Sequence, residues 1–107
     1  RKQTKLLTRL LRPMTSLSHV GEIRQCGLMV GIELVQDRTT RTPYPLEMRI
    51  GHRVAQACRK GGLLMRPLGN VIALVPPLST SPQELTKMVA ILHSAIVDVT
   101  EGSASPA

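Results

Sequence analysis

Hydrophobic positions recur along this chain with two different periods. Leu6, Leu7, Leu10 and Leu11 share one helical stripe with basic residues opposite, and Pro13 ends the pattern, which predicts a short amphipathic helix. Over residues 20–35 the period falls to two. In VGEIRQCGLMVGIELV, Leu28, Val30, Ile32 and Leu34 alternate with Met29, Gly31, Glu33 and Val35, the signature of a strand. Gly27 and Gly31 leave gaps in it, and glycine inside a strand marks a bulge or a close approach by another backbone. The polar, proline-bounded DRTTRTPYP of residues 37–45 reads as a connecting loop. Leu46, Ile50, Val54, Ala57 and Cys58 return to helical spacing, and Gly61 with Gly62 supplies the stop.

Residues 63–78, LLMRPLGNVIALVPPL, read as a hairpin: two apolar strands joined near Gly69 and Asn70 and closed by Pro76 and Pro77. Its single charge, Arg66, is placed beside the turn, toward the hairpin tip. Ser81, Pro82 and Glu84 then combine a cap hydroxyl, a proline at the first helical position and a carboxylate three residues after the cap. Leu85, Met88, Val89, Leu92, Ile96 and Val99 form the apolar stripe of the helix that follows. Residues 101–107 read as a flexible tail, which leaves residues 1–100 as one domain. Helix, strand, helix, hairpin and helix describe an α+β fold, a small antiparallel sheet with helices packed on it. With so few strands, one sheet face is left for a partner.

Composition changes this picture in one respect. Hydrophobic residues make up 42% of the 107-residue chain but aromatics only 1%, so the core is aliphatic, with Tyr44 the sole aromatic ring of the Phe, Tyr and Trp class. A small core without large rings leaves a thin stability margin. The net charge of +7 invites a nucleic-acid reading, but Arg1, Lys2, Lys5, Arg9 and Arg12 crowd one segment and no Phe or Trp is present to stack on a base. A solvated basic helix face accounts for them, and no nucleic-acid partner is expected. Cys26 and Cys58 form neither a metal spacing nor a disulfide framework, which suits a reducing cytoplasmic setting. No apolar run is long enough for a membrane span, and the basic opening residues lack the apolar h-region that a secretory signal requires.

Candidate chemistry is sparse. His19, His52 and His93 lie far apart and match no ligand motif, so no metal site is assigned. Ser79, Thr80 and Ser81 lack a nucleophile elbow and suit capping, while Lys60 stands at a helix C-terminus, where the dipole favours a cation. Glu33 and Arg24 fit structural ion pairs or edge positions. No catalytic residue is assigned. Arg66 has two readings: a solvated hairpin arginine, or a guanidinium fork presented by a strand-end loop to grip a carboxylate with two parallel hydrogen bonds.

VGEIRQCGLMVGIELV followed by RPLGNVIALVPPL resembles the C-terminal small domain of class III pyridoxal-phosphate aminotransferases, a part of the fold-type I enzymes. GLMVGIEL is similar to a class-wide pattern, whereas RPLGN before PPL resembles the branch that makes 7,8-diaminopelargonic acid for biotin synthesis. The resemblance implies that Arg66 binds the carboxylate of the keto-acid substrate, 8-amino-7-oxononanoate, with S-adenosylmethionine as amino donor and a homodimer as the assembled form. Some members carry a tyrosine where this chain has Ala73, so that contact is not carried over. The family keeps its Schiff-base lysine, and the acid that partners the pyridinium nitrogen, in a large domain preceding this one. The resemblance therefore implies a C-terminal piece that binds no pyridoxal 5'-phosphate by itself and is inactive alone. The alternatives are another class III omega-aminotransferase, or a free-standing basic module that binds an acidic partner.

Overall fold

The computed structural model describes residues 2–77 and 79–101, so the expected tail lies outside the described residues apart from Glu101, which follows the last helix as a turn. Helix α1 (Lys2–Leu11) buries Leu7 and Leu11 and leaves Lys2, Lys5 and Arg9 in solvent, as its stripe predicts. Pro13 falls in a 3₁₀ segment, Arg12–Ser16, that carries Met14 into the core.

The alternating stretch expected as one strand is a hairpin. Strands β1 (Val20–Cys26) and β2 (Met29–Asp37) pair antiparallel about Gly27 and Leu28. Gly27 has a φ of 61° at the first central position of this two-residue turn, where the type II′ hairpin needs a positive φ. Between Val20 and Cys26 the only large hydrophobe is Ile23, so no break of phase shows in the sequence. The bulge is at Gly21, where the register slips between Val20 and Glu22 and a Cβ would stand 2.7 Å from Val35 Cγ1. Nor is residues 37–45 loop throughout: Thr42–Pro43 form β3, paired with the end of β2.

Leu46 is outside the second helix. It lies in a 3₁₀ turn, Leu46–Met48, and is 78% exposed. Arg49 then takes a left-handed φ of 48°, which redirects the chain before α2 (Ile50–Lys60) begins. Ile50, Val54 and Cys58 are fully buried along that helix. The second hairpin is as expected, with β4 (Arg66–Leu68) and β5 (Val71–Leu74) joined by Gly69, at φ 62°, and Asn70. Helix α3 (Pro82–Thr100) starts with a complete capping box: Glu84 N donates to Ser81 Oγ at 3.1 Å, and Ser81 N donates to the Glu84 carboxylate at 2.9 Å.

The strands run in the order β1-β2-β5-β4, with β3 added to β2. Helices α1 and α2 pack on α3, and α2 also touches β4 and β5. Val30, Ile32 and Leu34 of β2 and Ile72 and Leu74 of β5 meet Leu85, Val89, Leu92 and Ile96 of α3 in one aliphatic core. Tyr44 is buried at its rim, 6.0 Å from the His19 ring, and its carbonyl accepts from Asn70 Nδ2 at 3.2 Å. That bond ties the second hairpin turn to the segment before α2.

Candidate functional site

Helices cover one face of the sheet; the other is open. On the covered face stand Ile23, Val30, Ile32, Leu34, Ile72 and Leu74. Period-two geometry sends their neighbours to the open face. The pairings Arg24 with Gly31, Gly31 with Ala73 and Ala73 with Arg66 align four residues across β1, β2, β5 and β4. Beside that row runs a second, Glu22, Glu33, Val71 and Leu68. Met29 and Val75, 56% and 63% exposed, flank the first row on its other side. Between them lies a shallow apolar trough of about 350 Å³, lined by Met29, Gly31, Leu68, Val71, Ala73 and Val75 with Arg24 at one end.

The charges on this face differ in how they are held. Glu22 and Glu33 are cross-strand partners, and like charges directly opposite destabilise a sheet. Arg41, reaching in from a left-handed φ of 57°, donates to both carboxylates at 3.1 Å. Arg24 Nε donates to Glu22 at 2.9 Å. The Arg24 hydrogen bond, seconded by that of Arg41, holds the Glu22 carboxyl below its ordinary value, and Arg24 is raised in turn. Both acids and both of these cations are therefore committed to one another. Arg66 is exposed and has no ion-pair partner among the described residues. It begins β4, at the open end of the hairpin, three residues before the turn rather than at its tip. A β4 of only three residues, fixed by Pro67 and facing α2 from its other side, is what presents it.

The other sequence candidates have structural roles. Glu33 and Arg24 are in ion pairs, Ser81 caps α3, and the Thr80 hydroxyl donates to the Pro77 carbonyl at 2.6 Å. His19 Nδ1 donates to the Val35 carbonyl at 3.1 Å. Lys60 ends α2 as expected. No His, Cys, Asp and Glu group among the described residues could hold a metal ion. Sequence reasoning missed Arg41, whose place depends on a left-handed loop residue that no local motif announces.

A pyridoxal-type cofactor needs a lysine to form its Schiff base and an acid for its ring nitrogen. Lys2, Lys5, Lys60 and Lys87 are all exposed on helices and none stands on the open face. Glu22 and Glu33, the acids on that face, are held by arginines. The described residues do not fit the cofactor by themselves.

The model of the family described as Aminotransferase class-III matches residues 1–96. The chain is 51% identical over 104 residues to the adenosylmethionine-8-amino-7-oxononanoate aminotransferase of Nitratidesulfovibrio vulgaris, covering 97% of this chain and 19% of that protein. The crystal structure of the enzyme of the same name from Methanocaldococcus jannaschii superposes with a TM-score of 0.90 at 44% identity, covering 92% of this chain and 23% of that one. A PLP-bound aminotransferase mutant from Vibrio fluvialis superposes with a TM-score of 0.91 at 26% identity, covering 95% and 23%. The chain thus spans about a fifth of the length of the proteins it matches. With its own residues arranged as that family's α+β segment over nearly their whole length, the chain belongs to the class III aminotransferases.

Proposed function

We propose that the chain, residues 1–100 in particular, is the C-terminal small domain of an aminotransferase that moves an amino group onto 8-amino-7-oxononanoate in biotin synthesis. The observation that carries this reading is the contrast in similarity, 51% and 44% identity to two proteins of that name against 26% to the Vibrio fluvialis aminotransferase. Pyridoxal 5'-phosphate, supplied with its lysine by the rest of the polypeptide, is the electron sink for the exchange. S-adenosylmethionine is the amino donor, a homodimer is the working form, and the cytoplasm is the compartment, in keeping with two free thiols and no membrane-length apolar helix among the described residues.

This chain's contribution is Arg66. Its guanidinium has no ion-pair partner among the described residues and binds the keto acid's carboxylate with charge-assisted, bidentate hydrogen bonds. Such a contact orients the substrate without taking part in the chemistry. In the full-length polypeptide, Arg66→Ala is expected to raise KM for 8-amino-7-oxononanoate about tenfold or more, the worth of a ~1.5–3 kcal/mol charged hydrogen bond. Arg66→Lys restores charge but not the fork and falls between the two. An unchanged KM in both variants would overturn the carboxylate role. Failure to form the diamine product from this substrate, with turnover of other omega-amino compounds instead, would move the protein to another class III branch.

A further inference from the structure

The sheet ends in two edge strands that are finished differently. β4 is three residues long and carries Pro67, which has no N–H to offer a further strand. β1 is seven residues long, contains neither proline nor lysine, and pairs only with β2 among the described residues. The register shows which of its backbone groups point away from β2. The Val35 N–H donates to the His19 carbonyl on the β1 side at 2.9 Å, and the Leu34 N–H to the Asn70 carbonyl on the β5 side at 2.8 Å. Alternation along β2 then turns Glu33 and Gly31 toward β1, so their partners Glu22 and Arg24 face β2 and the N–H and C=O groups of Ile23 and Gln25 point outward. Among the described residues no backbone bond reaches those outward groups. A long edge left in this state is a template for another strand.

We infer that β1 is a contact between copies of this chain, pairing antiparallel with β1 of a second copy about a two-fold axis at Ile23. The inference rests on the association of copies proposed above and names a surface for it. Charge complementarity selects the second copy as occupant. With Ile23 opposite the partner's Ile23, Glu22 stands opposite the partner's Arg24, and Arg24 opposite the partner's Glu22. Unlike charges in that position stabilise a strand pair, whereas charges that guard an edge against self-pairing repel. The backbone agrees with the same register. Ile23, with both groups outward, forms the hydrogen-bonded pair on the axis, and Glu22 and Arg24, with theirs inward, form the non-hydrogen-bonded pairs beside it, where side chains come closest. Ile23 is half-buried at the margin of the core, and the partner's Ile23 covers it further. The register slip at Gly21 confines the pairing to the residues between Gly21 and Gln25. A contact so short is smaller than a standard stable interface, so the association depends on concentration.

Sedimentation velocity of the full-length polypeptide over a wide range of concentration tests this contact. The largest species is expected to halve in mass on dilution, and to do so at higher concentration in two variants. Ile23→Pro removes an outward N–H and leaves the bonds to β2 in place, as proline on an edge strand allows. Arg24→Glu sets carboxylates against carboxylates on both sides of the axis and should weaken the association about tenfold. Adding Glu22→Arg to Arg24→Glu restores unlike charges across the axis and should restore the mass, so the charge set decides however well proline is tolerated. Hydrogen exchange locates the contact: the amides of Ile23 and Gln25 should be protected when the protein is concentrated and exchange freely after dilution. An assembly of the same mass in all variants would overturn the inference while leaving a homodimer formed elsewhere. Protection of the two amides that ignores concentration would overturn it in favour of a strand of the same polypeptide on this edge. A single species of monomer mass at every concentration would end both this contact and the homodimer reading.

Discussion

Gly31 and Gly51 show one residue type in two different surroundings: a Cβ at Gly31 would meet only Val71 Cγ1, at 3.9 Å. Gly51 sits in the first turn of α2, where the carbonyl oxygen of Gly69 occupies the place a Cβ would take. That oxygen belongs to the backbone of a tight turn and has little room to retreat. Gly51→Ala is expected to destabilise the chain by about 1–3 kcal/mol, as overpacking does. Gly31→Ala should be neutral or stabilising by up to about 1 kcal/mol. Urea unfolding of the two variants beside the natural chain checks both, and a loss of stability at Gly31 equal to that at Gly51 would refute the open-space reading. Nothing local in the sequence separates the two glycines, because the atoms that decide lie about twenty residues or more away in the chain. Arg66 was legible as a charge in an apolar hairpin, but its lack of an ion-pair partner among the described residues was not. Arg24 had the same outward look, and only the tertiary structure shows that Arg24 is engaged by Glu22 while Arg66 has no ion-pair partner among the described residues.

At the scale of elements, the start of α3 was fully readable, since a capping box closes within four consecutive residues. The Glu84 carboxylate accepts from the Ser81 backbone N–H, and that bond holds it below its ordinary value of 4.5. A depressed carboxylate contributes stability that is present above 4.5 and lost as the pH falls through the folded-state value. The stability difference between the natural chain and Glu84→Ala should therefore be seen at neutral pH and fade in acid, measured as urea midpoints along a pH series. Ser81→Ala should lower stability by about 1 kcal/mol. A Glu84→Ala difference that persists unchanged well below 4.5 would show that the carboxylate's charge has no part in the cap. The start of α2 was not readable in this way. Leu46 keeps helical spacing with Ile50, yet the left-handed backbone of Arg49 turns it into solvent. The fold-back at Gly27 was hidden for a related reason, as β1 has too few hydrophobes to show that the alternation changes face.

For the whole molecule, the contrast between a closed and an open sheet face governs behaviour. Cys58 lies on the closed side, fully buried, and burial pushes its thiol up to about 11; Cys26 lies on the open face and is exposed. One thiol should react quickly with a disulfide reagent in the folded protein and the second only as fast as the fold opens, with both reacting at once in denaturant. Rapid reaction of both in the native state would mean that the aliphatic core is looser than its packing indicates. Local sequence patterns by themselves determined the α+β class, the helices, the second hairpin and its turn, and the aliphatic make-up of the core, because periodicity, caps and turn glycines act over a few residues. Residue motifs also carried the resemblance to the class III family. Only the tertiary structure decided that the first strand is two, that Arg41 neutralises the facing acids, and that Arg66, Ala73 and Gly31 stand in one row. Those facts depend on register between distant strands, which is set by how the whole sheet closes over its core.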